Sequence, residues 1–260
     1  MKILFIGDII GSPGREAVRE LLPPLVAKKK IDFVIANCEN VAAGFGVTRK
    51  IVEELFKYNI DVLTSGNHVW NKREVLEFIG DFDRLLRPAN YPSTTPGAGA
   101  VLVPLKTGEY IGVLNLAGRI FMQPIDCPFV TAKNKIAEMK EKTKVIIVDM
   151  HAEATSEKKA LGWYLDGEVS AVLGTHTHVQ TADEEILPNG TAYISDAGMT
   201  GPFDSVIGIK KEAIIERFLT QMPNKFDLAK DDIRMQGVIV DIDAESGRAK
   251  SIDRVSVKLK

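Results

Sequence analysis

The chain contains four histidines, and two of them, His176 and His178, stand one residue apart in "AVLGTHTHVQTAD". In an extended segment residues i and i+2 point the same way, so both imidazoles can reach one cluster. The other two close similar apolar runs: His68 ends "VLTSGNH" and His151 ends "KVIIVDMH". Asp8 ends "KILFIGD", Glu39 and Asn40 end "FVIANCEN", and Asn67 precedes His68. Each residue alone has an ordinary explanation. An Asp after a strand is often a turn or cap residue, and a lone His is more often solvated or hydrogen-bonded than a ligand. Taken together, five strand ends deliver Asp, Glu, Asn and His to one place. Scattered histidines would rarely do this. Mixed nitrogen and oxygen donors suit Fe, Mn, Zn or Co, whereas Ca and Mg prefer oxygen. Two ligand sets sharing one carboxylate make a two-metal site. Such a site can hold a bridging hydroxide and stabilise both oxygens of an in-line displacement at phosphorus.

The elements that must position these residues alternate along the chain. Further strand candidates are "GAVLVPL", "YIGVLNLAG", "TAYISDAG", "QGVIVDID" and "RVSVKLK". Several runs are continuously apolar, as in strands buried on both faces. Helix candidates are "REAVRELLPPLVAKKK", "RKIVEELFKYN", "KREVLEFIGDF", "FVTAKNKIAEMKEKT", "SEKKALGWYL" and "KKEAIIERFL". Pro23 and Pro24 should kink or end the first of these early. The order points to a layered α/β protein with mixed sheets, whose ligands bind at the carboxyl ends of strands. "RPANYPSTTPGAGA" lies between strand candidates and reads as an internal loop, so residues 1–260 are taken as a single domain.

Composition narrows the function classes. The chain has 260 residues, is 45% hydrophobic and carries a net charge of −2, which suits a globular protein with no extended nucleic-acid or anionic-membrane surface. Two distant cysteines, Cys38 and Cys127, form no framework, so a reducing, cytoplasmic location is expected. No apolar run has transmembrane length, and the short one at the N-terminus does not read as a signal peptide.

The motifs "FIGDIIGSPGR", "NCENVAAGFGVT", "SGNHVW", "DMHAEATSEK", "GTHTHVQTADE" and "DAGMTGP" resemble the calcineurin-like metallophosphoesterases. The likeness is closer still to a bacterial branch related to a Bacillus cyclic-nucleotide phosphodiesterase that influences biofilm formation. It runs from the N-terminus to about Gly208. There are departures from the wider superfamily. Ile9 and Ile10 follow Asp8, so the histidine of D-x-H is missing; Glu39 stands for the bridging Asp; and Val69 follows G-N-H. These departures are shared by the bacterial branch. The resemblance implies a layered α/β/β/α sandwich with mixed sheets. It implies two metal ions, Fe or Mn first and Zn as an alternative. Asp8, Asn40 and His178 would hold one ion, Asn67, His151 and His176 the other, and Glu39 would bridge them. His68 would stay unligated, facing the phosphate to stabilise charge or protonate the leaving oxygen. Its alternative is to orient Asn67 or a water. The implied activity is hydrolysis of small phosphodiesters, 2′,3′-cyclic nucleotides above all, and the resemblance also allows a homo-oligomer.

Other readings stay in view: a phosphomonoesterase or protein phosphatase, and a regulatory, RNA-associated metal-binding protein. An amidohydrolase barrel fits poorly, because its H-x-H comes on the first strand. Arg15, expected to open the first helix after the loop "GSPG", is either a phosphate ligand or solvated, with solvation favoured slightly. Cys38 should face the core, opposite to Glu39. Phe45 and Trp70 could stack a base or pack as lid or core. Gly198–Gly208 reads as a long loop, either a lid or a subunit contact.

Overall fold

The computed structural model describes residues 1–106 and 108–260. The chain begins with β1 (Lys2–Ile6), the two-residue β2 (Asp8–Ile9) and α1 (Gly11–Lys29), then β3 (Phe33–Asn37), α2 (Arg49–Lys57) and β4 (Val62–Thr64). After one helical turn, α3 (Val75–Phe78), come β5 (Ala100–Pro104), β6 (Tyr110–Ala117), α4 (Pro128–Lys140), β7 (Ile146–His151) and α5 (Thr155–Tyr164). The remainder is β8 (Ala171–Thr175), β9 (Glu185–Ile186), β10 (Ala192–Ile194), β11 (Met199–Pro202), α6 (Lys211–Thr220), β12 (Ile233–Ile242) and β13 (Ala249–Lys258).

Two mixed sheets result. One runs β2-β11-β12-β1-β3-β4, with β13 also paired to β12; the other runs β5-β6-β7-β8-β10-β9. In the first, β1, β3 and β4 are parallel, while β12 lies antiparallel to β1. In the second, β6, β7, β8 and β10 are parallel, and antiparallel β5 and β9 form the edges.

The period of two along each strand explains the layering. Ile3 and Phe5 of β1 pack between the sheets with Val113, Ile147, Leu173 and Val238. Leu4 and Ile6 turn the other way, onto Val18 and Leu22 of α1 and Leu55 of α2. On the far side Leu114, Leu116 and Val148 pack against Ile136 and Met139 of α4 and Leu161 of α5. Both strand faces are apolar because both are covered, which gives the α/β/β/α sandwich.

Several local expectations are corrected. The helix α1 starts at Gly11, so "GSPG" is its first turn rather than a loop, and Arg15 lies inside it. It also continues past Pro23 and Pro24, whose positions are exposed, while Leu22 and Leu25 keep it seated on the sheet. Water can satisfy the carbonyls that the prolines leave unpaired. The candidate "KREVLEFIGDF" yields only α3 and a short 3-10 turn, Ile79–Asp81. The strands β2, β9 and β11 are too short to show a period, and β11 lies inside the segment expected to be a loop.

Truncating Phe5, which is fully buried between the sheets, should cost about 3–5 kcal/mol of stability. Denaturant unfolding of Phe5→Ala checks this; a loss under about 1 kcal/mol would contradict the packing described.

Candidate metal centre

Parallel strands of both sheets end at one edge, and the polar residues gather there. Asp8 sits on β2, fixed by the β2–β11 pairing, and its amide donates to the Gly198 carbonyl at 3.0 Å. Its Oδ2 accepts the His176 amide at 3.1 Å. Its Oδ1 is buried with no hydrogen-bond partner and lies 3.9 Å from His178 Nε2. A buried acceptor left without a donor is rare and costly. Burial raises the Asp8 pKa, against the pull of His178 and His151.

The other donors crowd together. His151 Nε2 lies 3.1 Å from Glu39 Oε1, from Asn67 Oδ1 and from His176 Nδ1. Asn40 Nδ2 is 3.4 Å from Glu39 Oε1 and 3.2 Å from His178 Nε2. Glu39, His151 and His176 offer ligand atoms all within 4.8 Å of one another. Acceptors facing acceptors at this distance need a cation or a proton between them. Burial opposes charging either partner, yet the Glu39 carboxylate pushes His151 up to about 9, and His151 in turn holds Glu39 down to about 2. Burial, then the neighbouring His151 charge, pushes His176 down to about 3. These nitrogen and oxygen donors suit transition-metal ions.

His151, His176 and His178 are also held from behind. His151 Nδ1 lies 2.9 Å from Thr175 Oγ1, which donates to Asp149 Oδ1 at 2.7 Å. The hydroxyl therefore accepts from Nδ1–H, and Nε2 is the nitrogen that faces the centre. His176 directs Nε2 at Glu153 Oε2, 3.0 Å away, which leaves Nδ1 inward. His178 directs Nδ1 at the Ile207 carbonyl, 3.1 Å away, which leaves Nε2 inward. Gly66 makes room for this packing: a Cβ there would lie 2.2 Å from His151 Nε2.

All seven expected ligand residues, Asp8, Glu39, Asn40, Asn67, His151, His176 and His178, meet at this edge. His68 lies beside them. Its amide donates to Glu39 Oε2 at 2.8 Å, and its ring stands edge-on to Phe45 with centroids 5.0 Å apart. Among the described residues none hydrogen-bonds to its ring. A cleft of about 300 Å³ runs past Phe45, His68, His176, His178 and Ile207. Trp70 packs on Tyr91 instead, with centroids 5.7 Å apart. Arg15 turns away from the centre; it donates to the Val41 carbonyl at 2.7 Å and to Glu54 Oε1 at 3.3 Å. Cys38 is buried in the helix-side core, and burial pushes its thiol up.

Sequence reasoning missed the supporting groups Asp149, Glu153, Thr175 and the Ile207 carbonyl. Asp149 was within reach, because residues i and i+2 of "DMH" share a strand face. Glu153 and Ile207 lie on connections, where no period exists.

Two back-to-back sheets with helices outside and a carboxylate–histidine cluster at the strand ends define a phosphoesterase-like sandwich. The chain belongs to the YmdB-like protein family, whose pattern matches residues 4–255. It is 51% identical, over 99% of its own length and 97% of the relative's, to the 2′,3′-cyclic-nucleotide 2′-phosphodiesterase of Bacillus subtilis. A crystal structure of a hypothetical protein from Thermus thermophilus superposes with a TM-score of 0.93 at 41% identity, covering 100% of both chains. A Mycoplasma pneumoniae structure described as a novel phosphatase gives 0.93 at 34% identity, covering 99% of this chain and 93% of that one.

Two outcomes follow from the geometry. Gly66→Ala should displace the His151 ring and lower bound metal with the fold retained, read by elemental analysis beside circular dichroism; full metal content would refute the contact. A proton held by His151 up to about pH 9 must leave before Nε2 can bind a metal. Apparent metal affinity should therefore rise from pH 6 to 9, with proton release on binding. In the metal-free protein the same raised pKa supports the fold below about pH 6.5, and that support is lost as pH climbs through about 9. Competition against a chelator across this range, at constant ionic strength, is the check.

Proposed function

We propose that this chain is a two-metal phosphodiesterase acting on small phosphodiesters, with 2′,3′-cyclic nucleotides as substrate class. The observation that carries this is the convergence of inward-facing donors beside a free His68 ring. In this reading Asp8, Asn40 and His178 would hold one ion, Asn67, His151 and His176 the other, and Glu39 would serve both sets. When bound, the metals supply Lewis-acid charge and a water of lowered pKa. The mixed donor set, three imidazole nitrogens beside carboxylate and amide oxygens, supports Fe or Mn, with Zn as the alternative.

The chain's own residues do the remaining work. Glu39 fixes the His68 backbone through its amide, so the His68 ring can offer N–H to a phosphoryl or leaving oxygen. Phe45 and Ile207 form an apolar cleft wall, and Phe45 is exposed enough to meet a base. No Lys or Arg lines the cleft among the described residues, and Glu153 stands at its mouth. No cationic side chain there offsets the second negative charge of a monoester, a charge that a monoanionic diester lacks. The Bacillus relative, a 2′,3′-cyclic-nucleotide 2′-phosphodiesterase, supports the same choice. The phosphatase reading is favoured by one observation, the description of the Mycoplasma neighbour.

The wider properties are part of the proposal. A single working domain is supported by the core shared between the sheets. A cytoplasmic location is supported by two free cysteines; no helix among the described residues is long and apolar enough to cross a membrane. A homo-oligomer has a candidate apolar face in exposed Ile215, Phe218 and Leu219 of α6.

Metal-loaded protein should hydrolyse 2′,3′-cyclic AMP faster than it hydrolyses 2′-AMP or 3′-AMP. The reverse order would establish a phosphomonoesterase, and no turnover of either would favour the regulatory reading. His68→Ala should lower kcat by about 10²–10⁴ with bound metal unchanged; loss of metal in that variant would make His68 a ligand-orienting residue instead. Phe45→Ala should raise KM for the cyclic nucleotide about tenfold and leave glycerol 1,2-cyclic phosphate unaffected. Equal effects on both substrates would remove the base contact.

A further inference from the structure

Behind the H-T-H segment lies an ion pair that neither motif nor family likeness assigns. Lys158 of α5 donates to Asp196 Oδ2 at 2.8 Å, and both side chains are 1% exposed. The same oxygen accepts the Thr177 amide at 3.0 Å and its hydroxyl at 2.8 Å. The other oxygen, Oδ1, accepts the Gly198 amide at 2.9 Å, and the Gly198 carbonyl in turn receives the Asp8 amide. One carboxylate thus touches the residue between His176 and His178 and the start of the strand that fixes Asp8.

The backbone shows why such a hold is needed. His176 and His178 have φ values of +101° and +64°. Two non-glycine residues at positive φ, flanking a third, persist only where the surroundings dictate them. The twist sends His176 toward His151 and His178 toward Asn40, so it decides which side of the centre each ring serves. Stability does not explain the pair, since a buried ion pair is often no better than apolar packing of the same volume. Gly174 lets β8 approach the residue before Asp196 closely: a Cβ there would meet the Ser195 carbonyl oxygen at 1.8 Å, and Lys158 Cδ at 3.1 Å.

We propose that Lys158 and Asp196 are positioning residues that clamp Thr177, so that His176 and His178 address different sides of the metal centre. This rests on the metal-centre reading above. Removing only Asp196 would strand a buried cation, so the variant of choice is Lys158→Met/Asp196→Asn, which removes both charges. Thr177→Val, which keeps the Thr177 amide bond but loses the hydroxyl's contacts to Asp196 Oδ2 and, at 3.4 Å, the Val179 amide, is the milder companion.

In the double variant, metal affinity by chelator competition should fall about 10–100-fold. The melting temperature of the metal-free protein should stay close to wild type. Excess metal should restore kcat with KM little changed. Hydrogen exchange of the 176–180 amides, measured without metal, should speed up while exchange in β7 and β8 does not. Thr177→Val should shift the same readouts less. Wild-type metal affinity together with wild-type exchange in the double variant would overturn the clamp. So would a metal-free melting loss with exchange quickened throughout the sheet, which marks a purely structural pair. A wild type that takes up no metal removes the metal-centre reading, and the exchange comparison then still decides the clamp.

Discussion

The structure turns on an excess of buried acceptors at one point. His151 Nε2 faces Glu39, Asn67 and His176 Nδ1 at 3.1 Å each, and Asp8 Oδ1 has no donor among the described residues. In an apolar interior such groups are expensive unless paired. A single proton can bridge one pair, which is what the raised His151 and lowered Glu39 pKa values record. It cannot satisfy Asp8 and His178 as well. Bound cations would satisfy them together, so the fold carries at its centre a set of donors that suits metal ions.

Everything around that point limits the freedom of the donors. Three histidines are backed by three different acceptors: a hydroxyl relayed to a carboxylate, an exposed carboxylate, and a backbone carbonyl. The difference has a geometric consequence. His151 and His178 present Nε2, while His176, twisted at φ +101°, presents Nδ1 from a shorter reach. Because the inward nitrogen is fixed by what the outward one touches, tautomer choice lies with Asp149, Glu153 and Ile207 rather than with the ligands themselves.

The centre was more legible in the sequence than the apparatus that holds it. Strand-terminal Asp, Glu, Asn and His are visible because an apolar run and its polar end are local features. The ten long strand candidates correspond to β1, β3–β8, β10, β12 and β13 for the same reason. Lys158 closes the motif "DMHAEATSEK", but its burial was not legible. It sits in a run of charged residues that reads as a solvated helix face, and only Asp196, from another connection, makes its burial tolerable. Pro23 and Pro24 misled because propensity is a local rule, whereas Leu22 and Leu25 anchor α1 through tertiary contacts. The pairing of β2 with β11 joins residues nearly two hundred positions apart, and no window of sequence contains it.

The segment Gly198–Gly208 shows how such long-range pairing becomes chemistry. It enters as β11, whose first contact steadies the Asp8 amide, and it leaves through Ile207, whose carbonyl holds His178. Ile207 has φ +47°, a conformation that a β-branched residue rarely adopts. Paired backbone bonds between Val206 and Ile209, with the Ser205 hydroxyl accepting the Gly208 amide at 3.0 Å, keep the turn closed around it. The strained carbonyl is therefore aimed by its own turn, not by the histidine it contacts. One chain segment thus fixes both ends of the Asp8–His178 side of the centre, and its apolar side chain lines the cleft beside His68. Movement of this turn would alter ligand orientation and cleft shape together, because a single residue supplies both surfaces.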